Sequence, residues 1–424
     1  MIKPIVYNKN NRDEILNRSI TDTSAVEEAV KNIIADVRAR GDEALFEYTL
    51  KFDKASLKQL AVTDEEFALA EKQVGEEYKG ILRRSAENIR AFHRAQVRDG
   101  FEIKGDGYVL GQKVTPLRSA GLYVPGGKAA YPSTVLMNAI PAEIAGVKRI
   151  VMVTPPLSDG SVRPEVLVAA RIAGVSEVYK VGGAQAVAAL AYGTQTIEKV
   201  DKITGPGNIF VATAKKLVYG VCGIDMIAGP SEILIIADDG ADAQCVAADL
   251  LSQAEHDELA TAVLITDSAE LADKVSVALE ERLNSLARKS IAEVSIRNNC
   301  KLIVVGSLDE AAELSDELAP EHLELAVRNP LELLEKVNNA GSVFLGYNTP
   351  EPVGDYYAGP NHTLPTGGTA KFSSPLGVED FIKTVQYAYY TKDKLTQSAD
   401  DIIQFARSEG LTGHAESVSV RMEK

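Results

Sequence analysis

The sequence predicts an α/β protein built on parallel sheets, and three observations carry that prediction. The chain has 424 residues with 45% hydrophobic content. That is enough for a large core and, at roughly 100 to 200 residues per domain, for two or more domains. Short runs at 149–154, 177–181, 232–237, 262–266, 302–305 and 342–345 are nearly continuous in apolar, β-branched character, as expected of strands covered on both faces. Helical stretches such as 241–253 and 269–286 lie between these runs, which is the alternation of βαβ units.

Taken in order, residues 1–21 read as an N-terminal arm. From Asp22 the pattern turns helical, with Val26, Val30, Ile33, Ile34 and Val37 at helical spacing, and it continues through Leu82, Ile89 and Phe92. Strand texture begins near Val109. Gly and Pro concentrate at 121–132 and 205–231, which suggests crossings between two α/β domains or pocket walls, with boundaries near Leu122 and Ser231. The expected domains are 22–122 plus 232–380, and 123–231. Beyond Thr384 the chain is rich in tyrosine (Tyr387, Tyr389, Tyr390) and has a helical pattern at 399–408, so 381–424 reads as a docking arm. There is no internal repeat or low-complexity tract.

Composition narrows the partners and the compartment. A formal charge of −15 and an isoelectric point near 5.0 would repel a phosphate backbone, and no local basic patch offsets them, so nucleic acid is not expected. The three cysteines, Cys222, Cys245 and Cys300, are odd in number and widely spaced, which argues for a reducing compartment. Residues 1–10 lack a signal-like apolar core, and no apolar run reaches the roughly 18 residues of a membrane span. The expectation is a soluble cytoplasmic protein.

The chemistry-bearing residues gather in polar segments far apart in sequence. Gln253 and His256 sit three apart near a helix end, able to face one ion, although a solvated polar pair would look the same. Gly354-Asp355-Tyr356-Tyr357-Ala358-Gly359-Pro360-Asn361-His362 is a Gly/Pro-punctuated loop carrying a carboxylate and an imidazole. The segment 409–414 (Glu409, Gly410, His414) alone reads as a helix stop with a surface histidine. Together the Gln, His and Asp side chains are a donor set that a borderline divalent cation such as zinc accepts. Glu321-His322 lies between a helical stretch and the alternating Leu323-Glu324-Leu325, where His322 is a candidate base or simply a histidine bridging the junction. His93, beside Phe92 in a helical context, reads as packing or surface.

Two glycine segments bear on a cofactor. Val181-Gly182-Gly183-Ala184-Gln185-Ala186 ends a strand and opens a helix, and Gly205-Pro206-Gly207-Asn208 follows Lys202-Ile203-Thr204. Both offer backbone N–H groups to a phosphate, or are tight βα turns needing Gly. Neither matches the G-x-G-x-x-G fingerprint, and no acidic ribose partner stands at the expected spacing.

With these segments in hand, the chain resembles the histidinol dehydrogenase family over nearly its whole length. The likeness rests on strings in a fixed order: Gly121-Leu122-Tyr123-Val124-Pro125-Gly126-Gly127, Ser133-Thr134-Val135-Leu136-Met137, 181–186, 204–208, Ala228-Gly229-Pro230-Ser231-Glu232, 250–256, 319–323, 354–365 and 409–414. Residues 128–131 do not match clearly. The resemblance implies two incomplete Rossmann-like domains, with 123–231 binding NAD, and one Zn2+ per subunit held by Gln253, His256, Asp355 and His414. It implies substrate contacts from Ser231, His322, His362 and Glu409, with Ser133 a weaker addition, and NAD contacts from Tyr123, Gln185 and Asn208. It further implies a homodimer whose C-terminal arm, 381–424, reaches into the neighbour's site, and a Glu321–His322 pair that oxidises L-histidinol through L-histidinal to L-histidine. A zinc hydrolase and a two-lobed binding protein are the rival classes. NADH formation separates the first, and loss of activity on replacing Glu321 or His322 separates the second.

Overall fold

The computed structural model describes residues 2–17, 24–126 and 131–423. The start of the first long helix at Asp22, together with Gly127 and the unmatched segment up to Ala130, lies outside the described residues. The chain divides into two compact units, one comprising Met1–Gln96 with Leu117–Phe381 and the other Val97–Pro116 with Ile382–Lys424.

The larger unit contains two parallel sheets. In the first, the strands run in the order Ile5–Val6, Cys300–Val304, Thr261–Thr266, Glu232–Ala237, His322–Ala326 and Ser342–Leu345, every neighbour parallel. Glu232–Ala237 is buried at every position. Its side chains divide by the period of two that a strand imposes: Ile233, Ile235 and Ala237 enter one core, and Leu234 and Ile236 the other. Each such fully buried aliphatic side chain contributes about 1.5–3 kcal/mol. The second sheet has the order Glu177–Lys180, Arg149–Thr154, Ser119–Tyr123, Lys202–Thr204 and Gly223–Ile224, again all parallel. The parallel α/β class read from the apolar runs is therefore the observed one.

Grouping residues 22–122 with 232–380 does not describe the packing. Val30, Ile33, Ile34, Val37 and Leu45 share a core with Tyr123, Val187 and Val211, and Leu82, Ala86 and Ile89 share one with Leu136 and Val166. The N-terminal helices thus cover the five-stranded sheet. Periodicity shows that a helix has an apolar face but not which sheet will cover it. The arm at the N-terminus is an edge strand, Ile5–Val6, followed by the helix Arg12–Leu16, whose Ile15 is buried in the six-stranded sheet's core.

In the smaller unit, Ile382–Tyr390 pairs antiparallel with Tyr108–Pro116, which pairs antiparallel with Phe101–Gly105. The helices Lys392–Ser408 and Thr412–Met422 complete it. The tyrosine-rich stretch is thus a strand, almost wholly exposed, and the unit takes in the hairpin at 101–116 that the 381–424 boundary omits.

Candidate active site

Glu321 and His322 sit at the amino end of their strand, directly after Ala319 and Pro320. Ala319 has φ +46°, one of few non-glycine residues there among those described. A residue with a Cβ pays strain for that conformation, and here it turns the helix Leu308–Leu318 sharply into the site. The Glu321 Oε2 accepts the Glu232 N–H at 2.8 Å. The His322 Nδ1 lies 3.0 Å from the Glu232 carbonyl. A carbonyl can only accept, so Nδ1 carries the proton and the neutral ring keeps its lone pair on Nε2. That Nε2 is buried without a hydrogen-bond partner among the described residues, 3.8 Å from the Asp355 carboxylate. Phe344 stacks on the ring, with centroids 6.2 Å apart.

Asp355 lies in a π-helical turn, Gly354–Ala358, that follows the short helix Glu351–Val353. Such turns re-aim side chains and recur at functional sites. The N-terminal helix Glu76–Arg94 holds this one by its backbone: Ser85 Oγ donates to the Tyr356 carbonyl at 2.6 Å and Asn88 Nδ2 to that of Tyr357 at 2.8 Å. His362 Nδ1 donates to the Asp355 carbonyl at 3.1 Å, and the Thr134 hydroxyl donates to His362 Nε2 at 3.3 Å. Thr134, rather than the half-buried Ser133 beside it, therefore meets His362. Ser231, also half-buried, directly precedes Glu232.

Asp242 caps the helix Ala243–Ala254 by accepting the Gln244 N–H, and the far end of that helix delivers Gln253. Gln253 is buried, its amide nitrogen is 3.4 Å from His322 Nδ1, and its Oε1 has no partner. His256 follows at the exposed helix end, close enough to Asp355 to feel its charge. One further group was not legible in the motifs: Glu351, buried, four residues before Asp355, with Ser252 Oγ 3.3 Å from its carboxylate. The i, i+4 spacing to Asp355 is the signal that could have found it. Ligand atoms of His322, Glu351 and Asp355 all lie within 4.8 Å of one another.

The charge here is unbalanced. Burial pushes the Glu321 carboxyl up to about 7. Burial, with the Asp355 charge added, pushes Glu351 up to about 8. Burial alone would raise Asp355 and lower His322. Instead the imidazoles of His322 and His362 pull Asp355 far below the carboxylate range, and the charges of Glu321 and Asp355 lift His322 to about 10, so the ring would hold a second proton on Nε2 until a cation offsets those carboxylates and returns it to the neutral form. Crowded acids beside an amide oxygen and a ring nitrogen that both lack partners fit a divalent cation of borderline softness.

Glu409 and His414 belong to the smaller unit. Both are exposed, beside the largely exposed Phe405, around Gly410, whose φ of +76° ends the preceding helix in the left-handed conformation read from the sequence. His93 is fully buried, its Nδ1 2.8 Å from the Ile89 carbonyl, so of the two expectations, packing or surface, it packs.

The second locus lies at the carboxyl ends of the five-stranded sheet, where ligands gather in open α/β folds. A cavity of about 430 Å³ there is lined by Tyr123, Gly183, Gln185 and Asn208 among others. The Tyr123 hydroxyl accepts the Gly183 N–H at 3.0 Å. The Asn208 Oδ1 caps the helix Ile209–Val218, accepting from Phe210 at 3.1 Å and Val211 at 3.2 Å, which leaves its amide donors for a ligand. Gly205 could not be another residue, since φ is +111° and a Cβ would lie 2.1 Å from the Tyr123 carbonyl oxygen.

Acid–base groups with unshared lone pairs in one half, and a glycine-walled cavity of nucleotide size in the other, define an α/β oxidoreductase. The family model for histidinol dehydrogenase matches residues 16–422. A histidinol dehydrogenase of Clostridium acetobutylicum is 53% identical over 93% of this chain and 92% of its own, and one of Heliobacterium mobile is 50% identical over 100% of both. The crystal structure of histidinol dehydrogenase from Elizabethkingia anophelis superposes with a TM-score of 0.95 at 37% identity, covering 100% of this chain and 98% of that one. The chain belongs to the histidinol dehydrogenase family.

Proposed function

We propose that this protein carries out the four-electron oxidation of L-histidinol to L-histidine, through bound L-histidinal, with NAD as acceptor and one zinc ion per subunit. The observation that carries the reading is the His322 Nε2, a buried unpartnered base beside Glu321 and Asp355. Gln253, His256 and Asp355, with His414, would hold the ion. When bound, it would supply Lewis-acid positioning of the substrate's imidazole and amino nitrogens. NAD in the cavity at Tyr123, Gln185 and Asn208 would accept the hydride in each half-reaction.

The chain's own residues move the protons. His322 Nε2 takes the hydroxyl proton as hydride leaves the carbinol carbon, giving the aldehyde. Glu321, as carboxylate, takes a proton from water as that water adds to the aldehyde. His322 again accepts the hydroxyl proton as the hydrated carbon gives up the second hydride, leaving the carboxylate. Alcohol, water and two NAD thus yield carboxylate, two NADH and three protons. Ser231, His362, Glu409 and, more weakly, Ser133 would contact the substrate. Thr134, by fixing the His362 ring, would orient it.

Glu409 and His414 would come from the C-terminal arm of a second copy, making a homodimer with shared sites. Their exposure, on a unit with a largely uncovered sheet, supports this reading. The placement is cytoplasmic. Among the described residues no helix is long and apolar enough to cross a membrane. The test is stoichiometry. Two NADH should form per L-histidinol, and the activity should vanish with a chelator and return with zinc. Hydrolysis without any NADH would instead favour a zinc hydrolase.

A further inference from the structure

The cavity at the carboxyl ends of the five-stranded sheet has one wall that its glycine motifs do not provide. Asp53, the last residue of the helix Asp42–Asp53, lines it together with Phe52, Tyr123 and Asn208. Its Oδ2 is buried and has no hydrogen-bond partner. Two lysines close in sequence are engaged elsewhere: Lys54 Nζ donates to the Lys51 carbonyl at 2.7 Å, and Lys51 Nζ lies over the Phe52 ring at 5.4 Å. A carboxylate at a helix C-terminus also faces the negative end of the helix dipole. Among the described residues, the Asp53 Oδ2 therefore bears two electrostatic costs with no hydrogen bond to offset them, and burial raises the carboxyl to about 6. Such a group is explained by a ligand that brings its own donors. Beside it Phe52 and Phe210 present half-exposed rings to the same cavity, apolar faces on which a planar base can rest.

We propose that Asp53 accepts the hydroxyls of the adenosine ribose of NAD, with Phe52 as the adjoining wall for adenine, and that its charge excludes the 2′-phosphate of NADP. The acidic ribose partner that could not be found downstream of the glycine segments thus comes from upstream, on a helix that only folding carries to the sheet. The proposal rests on reading this cavity as the NAD site and adds the residue that sets cofactor choice.

The experiment compares the full-length, zinc-loaded protein with Asp53→Asn and Asp53→Ser, using L-histidinol with NAD or NADP. Because the Asp53 Oδ2 has no hydrogen-bond partner among the described residues, neither variant removes a hydrogen bond from that atom. Losing a charge-assisted hydrogen bond should raise the Kd for NAD, titrated directly onto the protein without L-histidinol, and the KM for NAD each about tenfold or more. The preference for NAD over NADP in kcat/KM should fall by a comparable factor. The kcat at saturating NAD, the KM for L-histidinol and the zinc content should stay at wild-type values. Variants that keep both the wild-type KM for NAD and the wild-type discrimination against NADP overturn the proposal while leaving the NAD reading intact. A wild-type protein that forms no NADH from L-histidinol removes the NAD reading and the proposal with it.

Discussion

At the scale of single residues, function depends on lone pairs left unshared. His322 Nδ1 is tied to a carbonyl, so in the proposed reaction Nε2 would be the working atom. His322→Asn should nearly abolish both oxidations while zinc content holds. A matching fall in bound zinc would make His322 a ligand rather than a base, a distinction worth measuring because its Nε2 lies in the same cluster as Glu351 and Asp355. Glu321→Gln should spare alcohol oxidation relative to aldehyde oxidation, read by supplying L-histidinol or L-histidinal separately, and equal loss of both would remove the water-activating role. Asp53 carries a pH signature in the cofactor-free protein. Its carboxyl is raised from 3.8 to about 6 by burial. The folded state therefore holds the proton more tightly, and the stability this gives is complete below about pH 4 and lost as pH rises through 6. The melting temperature of Asp53→Asn should match wild type near pH 4 and exceed it increasingly up to pH 6 and above.

At the scale of elements, backbone groups are pinned so that turns present their side chains. The Gly205–Asn208 turn is held by a fully buried pair: Lys215 Nζ donates to the Gly205 carbonyl at 2.9 Å, and the Gly205 N–H donates to Asp225 Oδ2 at 2.7 Å, while Lys215 and Asp225 are themselves ion-paired. Replacing Lys215 by Met leaves the buried Asp225 carboxylate without its counter-charge and should cost about 3–5 kcal/mol in chemical denaturation. The Asp355 turn has a similar dependence on packing. A Cβ at Gly354 would lie 2.4 Å from Phe344 Cε1, and Phe344 stacks on His322. Gly354→Ala should cost about 1–3 kcal/mol by overpacking and lower kcat through the displaced imidazole, whereas unchanged kcat would show that the Phe344 contact does not orient His322.

At the scale of the whole molecule, the roles proposed for the exposed Glu409 and His414 would tie metal binding to assembly. His414→Asn should lower zinc stoichiometry, and unchanged stoichiometry would remove it from the ligand set. The strands at Arg149–Thr154, Glu232–Ala237 and Ser342–Leu345 were legible because parallel strands buried on both faces must be apolar throughout. Gln253, Asp355 and the Glu321–His322 pair were legible because their residue types and local strings are unusual. Glu351 and Asp53 were not, since a lone glutamate between prolines and an aspartate at a helix end look like ordinary surface acids until burial removes their water. The tyrosine-rich strand was missed because neither of its faces is buried in this chain, so no alternation marks it. By itself the sequence determined the class of fold, the element types and the chemistry at hand, since periodicity and side-chain type are local properties. Only the tertiary structure decided which sheet the N-terminal helices cover, which imidazole nitrogen is left bare and which acids lose their solvent. Those outcomes depend on contacts between segments hundreds of residues apart, and on a desolvation that no local pattern records.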